Sequence, residues 1–191
     1  MSRKNDKMEK MKTIYFITGN DNKFSEAKKL LNNLERVEID LPEEQSIDPH
    51  VVISRKLEVA KTLHESPLIV EDTSLYLDGL NGFPGPLIKC MLQSLGNKGI
   101  YDLCQSIQNT NAVAKTVVGF DNFKGDILFF EGEIRGQIVR PNGNNGFGWD
   151  EIFQPEGLNK TFAEMGHTYK LELSMRAIAF KKLKEYLENN Q

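Results

Sequence analysis

The chain has 191 residues, with 24 Lys+Arg against 27 Asp+Glu and a formal charge of -3, which suits one domain with a sizeable core and argues against several independent ones. That balance offers no global basic field for a nucleic acid backbone, so any anion site must be local. Cys90 and Cys104 are the only cysteines, and His50, His64 and His167 show no HExxH spacing. This argues against a disulfide framework or structural zinc and fits a reducing cytoplasm.

The opening "MSRKNDKMEKMK", residues 1–12, reads as a charged flexible tail, and the apolar run after it is too short for a signal peptide or a membrane span. A single domain over 13–191 is therefore expected. "TIYFI" reads as a strand, and it enters the polar turn "TGNDNK". Phe24, Ala27, Leu30, Leu31 and Leu34 then recur at helical spacing. A turn of this kind leaves backbone N–H groups unpaired at the positive end of a helix dipole, which favours a phosphate, and Lys23 sits in that first turn. It is neither GxxxxGK[ST] nor GxGxxG, and the same pattern also serves as plain packing.

Asp48 caps and Pro49 begins a second helix, with Ile53, Leu57, Ala60 and His64 on one face and Lys56 at its border. "PLIVEDTSLYLDG", residues 67–79, reads as an apolar strand that ends in Glu71 and Asp72. Those acids are either a solvated strand end or carboxylates delivered to a cleft. After the turn "GLNGFPGP" comes a helix with Leu87, Ile88, Met91, Leu92 and Leu95 apolar and Gly96 as its stop. Lys89 lies in its first turn, an unfavourable place for a cation unless an anion is near.

A further helix is expected over 101–107. The β-rich stretches "AVAKTVVGF" and "DILFFEGEIRGQIV" then flank the turn "DNFKG" and predict a long hairpin at the edge of a second lobe. In "RPNGNNGFGWD" the only tryptophan stands among glycines, which reads equally as a wide turn or as a frame for a flat ring. The chain closes on a helix from about Ser174, apolar at Ala179, Phe180, Leu183, Tyr186 and Leu187.

Lys23, Lys56, Lys89 and Lys170 all fall at element starts or borders, and two acidic spots, Glu43 with Glu44 and Glu71 with Asp72, sit at loop boundaries. Several point cations with a few hard oxygen ligands are what a triphosphate with Mg²⁺ requires. At these residues the chain resembles the inosine triphosphate pyrophosphatase, or Ham1-like, family. The matching segments are "FITGNDNKFSEAKKLL", "IDLPE", "VEDTSLYLDGLNGFPGP", "GFGWDEIFQPEG" and "TFAEM", in family order over roughly residues 14–187.

The resemblance implies an elongated α/β fold of the Maf/Ham1 type, with a mixed central sheet, flanking helices and a nucleotide cleft between two lobes, usually as a homodimer. It implies Mg²⁺-dependent hydrolysis of ITP, dITP and XTP to the monophosphate and pyrophosphate. By matching position, Thr18, Gly19, Asn20, Lys23, Lys56 and Lys89 would hold the phosphates, and Glu43 and Asp72 the metal. Asp72 would also act as general base, with Thr73 as a further substrate contact. Phe147, Gly148, Trp149 and Asp150 would form the base pocket, offering an aromatic face for stacking, with Lys170, Met175 and Arg176 closing it. The chain departs from the family at two points: Met175 stands where the family has histidine, and Leu171 follows Lys170 where asparagine is common. A thioether cannot donate a hydrogen bond to a keto oxygen, so a relaxed or shifted base preference is the alternative. A nucleotide-binding module without turnover is the alternative from another class.

Overall fold

Ile14, Phe16 and Ile17 are all buried in β1 (Ile14–Ile17), the strand expected from "TIYFI" in this computed structural model, which describes residues 13–42 and 44–190. The tail at 1–12 and Glu43 therefore lie outside the described residues. Helix α1 (Asp21–Leu30) is capped by Asn20, whose side-chain oxygen accepts from the Lys23 N–H at 3.0 Å. It ends sooner than its apolar spacing predicts, because Asn32 and Asn33 intervene and Leu34 opens β2 (Leu34–Val37). Leu34 shares one core with Ala27 and Leu31, which is why the helical spacing seemed to run on.

Helix α2 (Pro49–Leu63) starts as expected, with Asp48 accepting from the His50 N–H at 2.9 Å. Strand β3 (Leu68–Leu77) differs from its expected form: it runs ten residues, so Glu71 and Asp72 lie in mid-strand and are not its end. A 3-10 turn (Asp78–Leu80) and the short β4 (Pro84–Gly85) lead into α3 (Ile88–Ser106). Gly96 breaks α3 with φ 65°, ψ 174°, a conformation glycine adopts without Cβ strain, so the expected stop is a kink between two helical halves.

The hairpin appears as β5 (Asn111–Asp121) and β6 (Leu128–Ile138), followed by β7 (Phe153–Pro155). The seven-stranded sheet has the order β2-β1-β3-β5-β6-β7 with β4 also on β3. The hairpin is thus in the sheet's interior and not at an edge, since β5 pairs antiparallel with β3 from Leu68↔Asp121 to Leu77↔Ala112. Helix α4 (Phe162–Leu173) has no counterpart in the helices expected above. Its start is a capping box in which the Thr161 hydroxyl and the Glu164 side chain each accept from the other's backbone N–H. Helix α5 (Met175–Asn189) is capped by Ser174.

Helices α1 and α5 cover one face of the sheet around Ile69, Val118 and Phe180, and α2 covers the other around Ile53, Leu57 and Val70. A third core at the far end of β3 and β5 gathers Leu75, Leu77, Ile100, Trp149, Phe153 and Phe162. The long strands β3 and β5 carry the backbone through both regions. Among the described residues, no helix is long and apolar enough to cross a membrane.

Candidate functional site

The site begins with a notch in the sheet. Strand β1 pairs with β3 only at Leu68 and Ile69, and β4 only at Leu75 and Tyr76, so residues 70–74 have a strand partner, β5, on one side alone. Successive side chains of a strand face opposite ways, which divides the acid pair. Asp72 faces α2, with Oδ1 3.6 Å from Lys56 Nζ and Oδ2 accepting from the Ser74 hydroxyl at 3.1 Å. Glu71 faces α1 and α5 and is fully buried with Thr73 donating to it at 2.8 Å.

Two contiguous cavities meet at this notch. One, of about 600 Å³, is lined by Thr18, Gly19, Asn20, Lys23, Lys56, Lys89 and Glu71. The other, of about 270 Å³, shares Asn20, Lys23, Lys56 and Lys89. It continues past Asp72 and Thr73 to Phe147, Gly148, Trp149, Asp150, Lys170, Met175 and Arg176. Every described residue singled out from the sequence therefore borders one cleft. The sequence separations are large, but β1, α2, β3, α3, the 140–150 loop, α4 and α5 each end or pass there.

At the aromatic end, charge is buried in an alternating chain. Lys170 Nζ donates to Asp150 Oδ2 at 2.6 Å and lies 3.2 Å from Glu26 Oε1. Arg176 Nη1 pairs with Glu26, while its Nε and Nη2 each donate to one oxygen of Glu71 at 2.8 Å. Lys23 Nζ, 3.3 Å from Glu71, ends the chain. Burial by itself raises the Glu71 carboxyl, but the opposing charges of Arg176 and Lys23 and the hydrogen bonds from Arg176 and Thr73 hold it well below the usual carboxylate range. Burial likewise lowers the Arg176 guanidinium, and Glu71 and Glu26 more than reverse that, so it stays charged. Each ion has a close opposite partner, the condition for tolerating charge out of water.

Phe147 covers this chain. Its ring lies 4.2 Å from Lys170 Nζ and 5.7 Å from the Arg176 guanidinium, in cation–π range, and its backbone N–H donates to Asp150 at 3.0 Å. Trp149 borders the cleft too, yet it is 7% exposed and its ring packs against Phe153 and Phe162. Phe147 is thus the more exposed of the two rings, while Trp149 is packed into the core with Phe153 and Phe162.

Glu26 is not among the candidates the sequence offers, and the resemblance assigns a role to Asp72 but none to Glu71. Glu26 carried a signal: an acid next to Ala27 on the buried side of α1 must find a cation. For a metal, Asp72 and Glu44 border the same cleft, and among the described residues no group of three or more His, Cys, Asp or Glu could hold an ion by itself. Carboxylate oxygens such as those of Asp72 are the hard donors that Mg²⁺ takes, one or two at a time together with substrate phosphates.

The model of the Ham1 family matches residues 14–186. The chain is 39% identical over 182 residues to a dITP/XTP pyrophosphatase of Methanopyrus kandleri, covering 93% of this chain and 97% of that one. It is 37% identical over 185 residues to an inosine triphosphate pyrophosphatase of Schizosaccharomyces pombe, covering 95% and 98%. A solved HAM1 protein from Coxiella burnetii shares the fold with a TM-score of 0.80 at 22% identity, over 94% of this chain and 100% of that one.

Proposed function

The chain belongs to the Ham1 family, and from that premise we propose that it hydrolyses ITP, dITP and XTP to the monophosphate and pyrophosphate. The observation that carries this reading is the position of Asp72. The carboxylate lines the aromatic cavity 3.6 Å from Lys56, which lines both cavities. A triphosphate lying along the cleft would have its phosphates at Lys23, Lys56 and Lys89 and its base near Phe147, Asp150, Lys170 and Arg176.

In this arrangement Asp72 accepts a proton from the attacking water as the α–β anhydride bond breaks, and the lysines offset charge growing on the departing pyrophosphate. Thr18, Gly19 and Asn20 contribute the turn at the start of α1, where backbone N–H groups and the helix dipole favour phosphate oxygens. Asp72 and Glu43 are the residues that would hold Mg²⁺, whose chemistry is neutralisation of charge on phosphate oxygens. Glu44, next to Glu43 in sequence, lines the cleft. A cytoplasmic location belongs to the same proposal, and the resemblance makes a homodimer the expected assembly, to be measured by light scattering.

Met175 favours a second reading of the base preference. It borders the cleft at 1% exposure and brings no hydrogen-bond donor to a keto oxygen. Pyrophosphate release from ITP, dITP, XTP, GTP, dUTP and ATP with Mg²⁺ tests both readings. Faster turnover of ITP and XTP than of ATP is the expected result. Equal turnover of all purines favours relaxed preference, and tight binding without turnover would sink the catalytic reading.

A further inference from the structure

The turn between β1 and α1 carries an electrostatic problem that its lysine does not resolve. Asp21 occupies the first position of α1, and Glu38 lines the 600 Å³ cavity at the lysine-rich end. Glu38 thus borders the place where a polyphosphate would lie, as do Asp40 and Glu71, and Asp21 directly follows Asn20 of the same lining; like charges near a polyphosphate oppose its binding.

Strand β2 supplies the counterweight. Arg36, opposite Phe16 in the parallel pair, reaches forward along β1 so that its Nε donates to the Thr18 carbonyl at 2.9 Å. Its Nη1 pairs with Asp21, and its Nη2 lies 2.7 Å from Glu38 Oε1. The planar fork of a guanidinium can serve three such directions at once, which the single ammonium of a lysine cannot do in fixed geometry. The turn it grips is braced from within as well: the Thr18 hydroxyl accepts from the Asn20 N–H at 3.1 Å, and Asn20 caps the helix.

Folding stability does not account for this arrangement. The side chains of Asp21 and Glu38 are 87% and 70% exposed, and ion pairs that open to water contribute little to stability. What they do change is the local charge at the mouth of the cavity, which attracts or repels an incoming anion. We propose that Arg36 is a positioning residue for the phosphate end: it fixes the Thr18 turn and cancels two carboxylates that would otherwise repel the substrate. The inference rests on the reading of that cavity as the phosphate end.

The test compares the wild type with Arg36→Ala, Arg36→Lys and the triple variant Arg36→Ala/Asp21→Asn/Glu38→Gln. Inorganic tripolyphosphate binding is measured by calorimetry and ITP hydrolysis by pyrophosphate release. Arg36→Ala should raise both the tripolyphosphate Kd and the KM for ITP about tenfold, with kcat within about twofold, and the effect should shrink at high salt. Arg36→Lys should fall between, and the triple variant should recover most of the lost affinity.

Unchanged affinity in Arg36→Ala would overturn the inference. So would a loss that the triple variant does not recover, since a purely structural prop cannot be replaced by removing the acids. Because tripolyphosphate binding needs no turnover, a wild type that binds it but cleaves no nucleotide would remove the proposed reaction and leave the role of Arg36 standing. A wild type that does not bind tripolyphosphate would remove the phosphate end and the inference with it.

Discussion

The two ends of the cleft manage charge in opposite ways. At the aromatic end, Glu26, Glu71, Lys170 and Arg176 are nearly inaccessible and neutralise one another at 2.6 to 3.3 Å with Asp150 and Lys23. At the lysine end, Lys56 keeps 14% of its side chain open to solvent beside the cavities, and Lys23, where the buried chain ends, keeps 22%. The first is a closed circuit that holds its shape without a ligand. The second is looser, with Lys56 3.6 Å from Asp72 and partly open to solvent. A nucleotide site needs both, because a base is read by fixed geometry and a polyphosphate by accessible charge.

The sharpest way to break the comparison is at the joint between the ends. Asp72→Asn preserves size and the neighbouring Ser74 contact but removes the proton acceptor, so kcat should fall by about 10² to 10⁴ with nucleotide affinity largely kept. Single-turnover kinetics with equilibrium binding would check it. Near-normal turnover would take Asp72 out of the base role and leave the cleft as a binding site.

Next in size is a test of stability against activity. Arg176→Leu strands Glu71 and Glu26 without their main cation, and breaking one partner from a buried ion network costs about 3 to 5 kcal/mol. A drop in Tm of roughly 10 °C is the expected reading for a chain of this size. Lys56→Ala, at the open end, should leave Tm within about 2 °C and act on KM, because partly exposed pairs add little to stability. Equal losses of Tm in the two variants would erase the distinction between closed and open ends.

The contrast also explains what could be read from the chain. Asp48 as a cap and the apolar spacing of α2 and α5 announce helices by local chemistry, and those two helices formed as expected. Lys23 and Lys89 were legible because a cation in the first turn of a helix needs an anion, a signal that Lys56 in mid-α2 and Lys170 late in α4 do not give. The interior place of the β5–β6 hairpin was not legible, since it depends on β3 extending through its own acids to Leu77. A strand is expected to stop at paired carboxylates unless something buries them, and what buries Glu71 is Arg176, 105 positions away. Helix α4 was missed although Thr161 and Glu164 spell a capping box, because Gly166 interrupts its apolar period at φ 70°. Local signals carried the open end, and long-range pairing carried the closed one.

Acid should weaken the closed end through Glu71. Glu71 has a folded value below its ordinary 4.5, so it contributes stability that is fully present above that pH and is lost as pH falls below it toward the folded value. Thermal melts from pH 6 to about 2 should show wild-type Tm falling below pH 4.5. Glu71→Gln should begin lower and decline less over that window. Parallel curves would show that the Glu71–Arg176 pair does not govern acid sensitivity.

The smallest expected effect concerns selectivity. Met175 stands at the first position of α5, 1% exposed, with its side chain in the core that includes Trp149 and Phe162. Its backbone is clamped to the sheet: a Cβ on Gly132 would meet the Met175 carbonyl oxygen at 2.0 Å, so only glycine permits this approach. A histidine placed there would be held in one position. The positive end of the helix would also keep it neutral, with one N–H to donate. Met175→His should therefore raise the ITP-to-ATP ratio of kcat/KM by about tenfold, the effect of one added hydrogen bond in a site that excludes water. Because the closed end already fixes Lys170 and Arg176, the gain should appear in the ratio with little change in kcat for ITP. An unchanged ratio would mean that Lys170, Arg176 and Asp150 complete the reading of the base by themselves.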